Sequence, residues 1–277
     1  MSHLRVYNSL SRQKEEFKSI TSLAAKFLVC GTLRADLPYE KVYKVREKNR
    51  RLGLGLMGIH EWLLKRGHGY EVVPELKEWL EVYASESERA ANEHCDRFYI
   101  SRPVAYRAIA PTGSIGILAG TTTGIEPLFA VAYKRRFLTE GTKWKYQYVV
   151  DGTAEFLIRE GVKPESIESA LDLATNYEKR IKFQADIQDF VDMSISSTIN
   201  LPEWGTKHNN SDRLGDFAQV LAKYAPRLRG FTCYPDSSRG GQPLTSVPYE
   251  EALKHKDVIY DEVDVCEYTG KGGSCGS

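Results

Sequence analysis

The stretch Ala110-Pro111-Thr112-Gly113-Ser114-Ile115-Gly116 places two glycines, two hydroxyl side chains and a proline within seven residues. It follows an apolar run, Val104 to Ala110, and is soon followed by Gly120-Thr121-Thr122-Thr123-Gly124-Ile125-Glu126-Pro127. A loop of this composition lets backbone N–H groups converge without interference from Cβ atoms. Converging amides at a strand end, near a helix start, form a phosphate cradle. By local composition the run reads equally well as a strand–turn–strand corner.

Other residue types suggest chemistry and are weighed the same way. Glu126 sits between Ile125 and Pro127, where a carboxylate can bind a loop amide or the nearby Arg135 and Arg136. A structural, hydrogen-bonding role is expected for it rather than a catalytic one. Lys134-Arg135-Arg136 offers cations to a nucleotide or, just as well, a charged strand end to water. Trp144, Tyr146 and Tyr148 alternate at strand period, which favours a half-exposed strand face over a base-stacking platform. Gly53-Leu54-Gly55-Leu56-Met57-Gly58 has the G-x-G-x-x-G spacing, but the charged run Lys44–Arg51 precedes it. A dinucleotide fingerprint needs a hydrophobic strand there, so close backbone packing is the expected use of these glycines.

The 277 residues are 42% hydrophobic and carry a net charge of +1. That is enough for one large domain or two small ones. The charge gives no argument for nucleic acid or a membrane surface as partner. No apolar run approaches the roughly 18 residues of a membrane span, and no signal peptide is visible. The five cysteines, Cys30, Cys95, Cys233, Cys266 and Cys275, are odd in number and form no Cys-x-x-Cys. Reduced thiols in a cytosolic protein, without a metal site, are expected. Cys30 and Cys95 read as core thiols of helices, and Cys233 as a strand-end thiol. Cys266 and Cys275 lie in a Gly-rich C-terminal stretch, where two accessible thiols can reach a buried disulfide by exchange.

Helical spacing of apolar residues predicts helices over 14–30, 74–95, 151–160, from Pro164 through Ala174, 181–195 and 212–224, with another opening near Pro38. Strands are expected at 104–110, 131–137, 198–201 and 228–234. Helices interleaved with short apolar strands indicate an α/β core. The expected organisation is residues 1–253 as the core and 254–277 as a flexible tail.

Five blocks in order resemble the large subunit of ribonucleotide reductase, in the form used by the adenosylcobalamin-dependent class. They are Arg50-Arg51-Leu52-Gly53-Leu54-Gly55-Leu56-Met57-Gly58, the 111–116 loop, and Gly124-Ile125-Glu126-Pro127. The fourth comprises Phe183-Gln184-Ala185, Val191-Asp192 and Ser196–Pro202, and the fifth Gly230–Asp236 with Arg239 and Gln242-Pro243-Leu244. The resemblance implies the second half of a ten-stranded α/β barrel. It also implies that Pro111, Thr112, Gly113, Ser114 and Ile115 hold the phosphates of a ribonucleoside di- or triphosphate. The family reduces the ribose 2′-hydroxyl by a thiyl radical on a finger-loop cysteine, with a glutamate two residues later as general base. No Asn-x-Cys-x-Glu motif occurs in the 277 residues, so no catalytic residue is expected among them.

The resemblance further implies adenosylcobalamin as cofactor and a complementary N-terminal reductase fragment as partner. It implies Cys266 and Cys275 as a tail dithiol, re-reduced by a thioredoxin- or glutaredoxin-like protein, in the cytoplasm. The iron-dependent class carries a Tyr-Tyr relay near the last barrel strand, whereas Thr232-Cys233-Tyr234-Pro235 has one tyrosine. The alternative expectation is a non-catalytic remnant that binds a nucleotide or a protein partner.

Overall fold

In chain order the elements of the computed structural model are β1 (Arg5–Asn8), β2 (Gln13–Glu16), α1 (Phe17–Arg34), α2 (Glu40–Asn49), α3 (Ile59–Leu64), α4 (Pro74–Arg97) and α5 (Gly113–Ala119). Then come β3 (Ala132–Thr139), β4 (Lys143–Val150), α6 (Gly152–Arg159), α7 (Ala170–Ala174), α8 (Tyr177–Gln188) and β5 (Thr198–Leu201). The series closes with α9 (Leu214–Tyr224), β6 (Thr232–Pro235), β7 (Leu244–Ser246), α10 (Tyr249–Lys254) and β8 (Ile259–Asp261). The structure describes residues 5–8, 13–139, 143–236, 244–256 and 258–261. They fall into two units, Met1–Ala130 with Gly152–Arg239, and Val131–Asp151 with Gly240–Ser277.

The first unit is built on an arc of parallel backbone segments. Residues 52–54 hydrogen-bond to 105–108 through Leu52 N–H to Ala105 O at 2.9 Å and Ala108 N–H to Leu54 O at 3.0 Å. Ile109 N–H donates to Ser194 O at 3.3 Å and Ser196 N–H to Ile109 O at 2.8 Å, so the next segment runs alongside in parallel. That segment continues into β5, which pairs in parallel with β6 from Thr198↔Thr232 to Leu201↔Pro235. Parallel neighbours need crossover connections, and α3–α4, α5–α8 and α9 lie in them. Arg107 fastens the middle of the arc. Its guanidinium donates to Phe190 O, Ala84 O and Asp192 Oδ1 at 2.7–2.8 Å, and Asp192 Oδ2 accepts the amides of Tyr106 and Arg107.

Helix boundaries follow local chemistry. Pro74 occupies the first turn of α4, where its missing N–H costs nothing, and His94 and Arg97 sit at the other end. Ser169 and Asp172 form a capping box on α7, and Asn176 Oδ1 accepts Lys179 N–H at the start of α8. The helix expected from Pro164 is instead one 3₁₀ turn followed by the short α7, with Ile167 extended between them. The helix expected over 181–195 ends at Gln188. Gln188 Nε2 donates to Val191 O and Met193 O, and Ile195 is buried through the extended pairing with Ile109.

The second unit is an antiparallel sheet in the order β7-β3-β4-β8, with Ala252 of α10 buried against Ala132 and Val150. β8 lies within the stretch that follows residue 253 and pairs with β4 from Lys145↔Asp261 to Gln147↔Ile259. This hairpin unit was expected as part of the 1–253 core, and it forms its own sheet. Cys266 and Cys275, with Arg239, Gln242 and Pro243, lie outside the described residues.

Candidate functional site

The second arc segment ends at Ala110, and its C-terminal end delivers the 111–116 loop. Pro111, Gly113, Ser114 and Ile115 are exposed, and Thr112 is half-buried. Thr112 takes a φ of +49°, a left-handed conformation that a β-branched residue adopts rarely. Its carbonyl accepts Gly116 N–H at 2.7 Å, closing the first turn, and its Oγ1 accepts Gly124 N–H at 3.0 Å. The hydroxyl oxygen thus serves to close the loop. The amides of Gly113, Ser114 and Ile115 precede the first closed turn, so the helix itself offers them no acceptor.

The loop rests on a second layer. A Cβ on Gly116 would lie 2.5 Å from the Thr123 Cγ2 methyl and 3.2 Å from Thr121 O, so any side chain there would force Thr123 to shift. A Cβ on Gly113 would meet nothing within 4 Å. The Thr121–Thr122 backbone is in turn held by α3: Gly58 N–H donates to Thr122 O at 2.8 Å, and Thr121 Oγ1 donates to Glu61. Gly55 of the G-x-G-x-x-G stretch lies against the neighbouring segment, where a Cβ would come 2.8 Å from Ala108 O. Its use is close packing in the arc.

Four groups stitch residues 124–128 from behind. Glu126 Oε1 accepts Thr198 N–H at 2.6 Å, and its Oε2 meets Arg180 Nη2 at 2.8 Å. The same Nη2 donates to Thr198 O at 2.7 Å. The Tyr70 hydroxyl donates to Ile125 O at 2.5 Å, while its ring packs on Phe183 and lies 5.4 Å from the Arg180 guanidinium. His60 Nδ1 accepts Leu128 N–H at 2.8 Å. Burial, aided by Arg180 and Lys179, pushes the His60 pKa down to about 3, so the ring is neutral near pH 7. Burial also raises the Tyr70 phenol well above its ordinary value, which keeps it a donor.

Glu126 was expected to bind a loop amide or Arg135/Arg136. The amide it binds is that of Thr198, and the cation is Arg180. Sequence reading did not single out Arg180, His60 or Tyr70. One signal was present: Arg180 falls in the buried helical stripe Arg180, Phe183, Gln184, Ile187 of α8. In the second unit, Lys134 Nζ lies 4.0 Å from the Tyr146 ring and Arg136 Cζ 4.0 Å from that of Trp144. Tyr146 stacks on Tyr260, and Tyr148 on His255, so this face packs largely on itself.

Cys95 is a buried core thiol as expected, and burial pushes it and Cys233 up in pKa. Cys30 departs from the core reading: it is half-buried, with Sγ 3.3 Å from His94 Nε2. Among the described residues no three His, Cys, Asp or Glu side chains cluster to hold a metal ion. No helix among them is long and apolar enough to cross a membrane.

The model of the ribonucleotide reductase barrel domain matches residues 3–82 and 102–225. The chain belongs to the ribonucleotide reductase barrel-domain family. It is 27% identical over 281 residues to a vitamin B12-dependent ribonucleoside-diphosphate reductase of Mycobacterium tuberculosis (strain CDC 1551 / Oshkosh), covering 89% of this chain and 40% of that protein. It is 28% identical over 274 residues to a putative adenosylcobalamin-dependent ribonucleoside-triphosphate reductase of Mycobacterium phage D29, covering 84% and 37%. The fold is similar to the crystal structure of a B12-dependent (class II) ribonucleotide reductase, with a TM-score of 0.68 at 17% identity, covering 87% of this chain and 37% of that one. The chain thus spans about two fifths of the length of these reductases. The parallel arc is the part of the reductase-type α/β fold that these residues build.

Proposed function

We propose that this chain forms part of an adenosylcobalamin-dependent ribonucleotide reductase and supplies its substrate-phosphate loop. It completes the ten-stranded barrel together with the part of the catalytic machinery that carries the finger-loop cysteine and glutamate. The observation that carries the reading is the Thr112 turn. A β-branched residue is held at positive φ and tied to Gly124, and the three amides that follow it belong to exposed residues at the end of a parallel backbone segment. Strain of this kind persists where the surrounding structure enforces it, and it clusters at ligand clamps.

In this reading the amides of Gly113, Ser114 and Ile115, with the Ser114 and Thr112 hydroxyls, hold the di- or triphosphate. The Thr121–Glu126 layer keeps them in place. The reaction replaces the ribose 2′-hydroxyl by hydrogen and releases water. Its two electrons and two protons come from a pair of thiols that become a disulfide. Cys266 and Cys275 return that pair to the reduced state by exchange, and a thioredoxin-like protein then reduces them. Adenosylcobalamin supplies the radical when bound. Ile115 and Leu118, 59% and 89% exposed beside the loop, offer an apolar surface suited to a flat macrocycle.

Calorimetric titration of the assembled enzyme with inorganic pyrophosphate and a ribonucleoside diphosphate tests the loop. Gly113→Val should weaken binding of both, whereas Thr112→Ser, which keeps the acceptor for Gly124, should not. Equal affinities for the two variants would remove the cradle.

A further inference from the structure

Outside the loop region, the last turns of α1 and α4 bring a thiol and an imidazole together. Cys30 Sγ lies 3.3 Å from His94 Nε2, although 64 residues separate them in sequence. Both side chains are half-buried rather than enclosed, unlike neighbouring Cys95, which is fully buried. The His94 ring is fixed edge-on against Phe98, with centroids 4.9 Å apart. The charges acting on it are both positive, Lys26 from α1 and Arg97 from α4. Desolvation by burial, together with these cations, lowers its pKa from the ordinary histidine value, which favours the neutral ring.

A nucleophile within hydrogen-bond reach of a neutral base is the arrangement that activates a thiol. The cations Lys26 and Arg97 beside His94 select the reagent, because an anionic molecule is drawn to them while a neutral one is not. We propose that Cys30 is a modification site that forms a mixed disulfide with a small anionic disulfide such as glutathione disulfide, with His94 as proton acceptor. Cys30 Sγ attacks one sulfur of the reagent, and the reagent's S–S bond breaks. The thiol proton passes to His94 Nε2 and from there to the departing thiolate. One mixed disulfide forms, one thiol is released, and no further oxidant is needed.

The test begins with the unaltered chain. Reduced protein is treated with iodoacetamide, and each cysteine-containing peptide is followed by mass spectrometry. Cys30 should be alkylated about tenfold faster than Cys95 and Cys233. Glutathione disulfide should then place its adduct on Cys30 faster than the neutral hydroxyethyl disulfide does, and Lys26→Met should narrow that difference. His94→Gln retains a polar side chain but no base, and should slow Cys30 severalfold while leaving the Cys233 rate unchanged. Cys30 reacting no faster than Cys233 in the unaltered chain would overturn the proposal, whatever the variants do. So would a Cys30 rate that is the same with and without His94.

Discussion

Glu126 and Arg180 meet at 2.8 Å across 54 residues of sequence, and both also hold the backbone of Thr198, one at its N–H and the other at its C=O. The pair therefore joins the segment that follows the candidate loop to the strand β5. Arg180 is 3% exposed and Glu126 25%, so removing one partner leaves a largely desolvated charge behind. Arg180→Met should lower unfolding stability by about 3 kcal/mol. In a cycle with Glu126→Gln, the two substitutions should couple by about 1–3 kcal/mol in urea titrations. Additive effects would show that the contact carries no coupling.

Gly113 and Gly116 are three residues apart and should respond oppositely. Gly113→Ala places its methyl in open space and should leave the thermal midpoint nearly unchanged. Gly116→Ala drives a methyl to 2.5 Å from Thr123 Cγ2 and should cost about 1–3 kcal/mol. The two melting curves decide this, and similar losses at both sites would contradict the packing described.

His60 gives the fold a dependence on pH. Its folded pKa of about 3 lies below the unfolded value of about 6.5. The unfolded chain therefore takes up a proton first as pH falls. Stability is fully present above pH 6.5 and declines by at most about 1.4 kcal/mol per pH unit on the way down to 3. Between pH 6.5 and 5 most carboxylates remain ionised, so the histidines dominate the slope. Urea midpoints of His60→Gln should fall less steeply across this window than those of the unaltered chain. Identical slopes would place the titration elsewhere.

The tail cysteines make a functional prediction within the proposed enzyme. Cys266→Ser or Cys275→Ser should abolish repeated turnover with a thioredoxin-like reductant and largely spare turnover with a small dithiol. A double variant supported equally by both reductants would show that the two thiols are incidental.

Much was legible in the chain itself. The short strand Thr198–Leu201, and the Pro74 start and apolar spacing that mark α4, are local features, and local structure follows them. The Gly-rich and hydroxyl-rich blocks carried the resemblance to the family through their residue types and order. Tertiary structure decided what depends on distant partners. Ile195 has the same apolar side chain whether it extends a helix or enters an arc, and only its pairing with Ile109 settles which. Glu126 could not name its cation from sequence, because Arg180 reaches it only after α8 packs against β5. The hairpin β3–β4 gave no sign that β7 and β8 would flank it, since edge pairing depends on where the later chain returns. Cys30 looked like any small core residue, and the approach of α4 is what placed an imidazole beside it. Local propensity is written residue by residue, whereas burial, charge pairing and pKa are properties of the neighbours that the fold supplies.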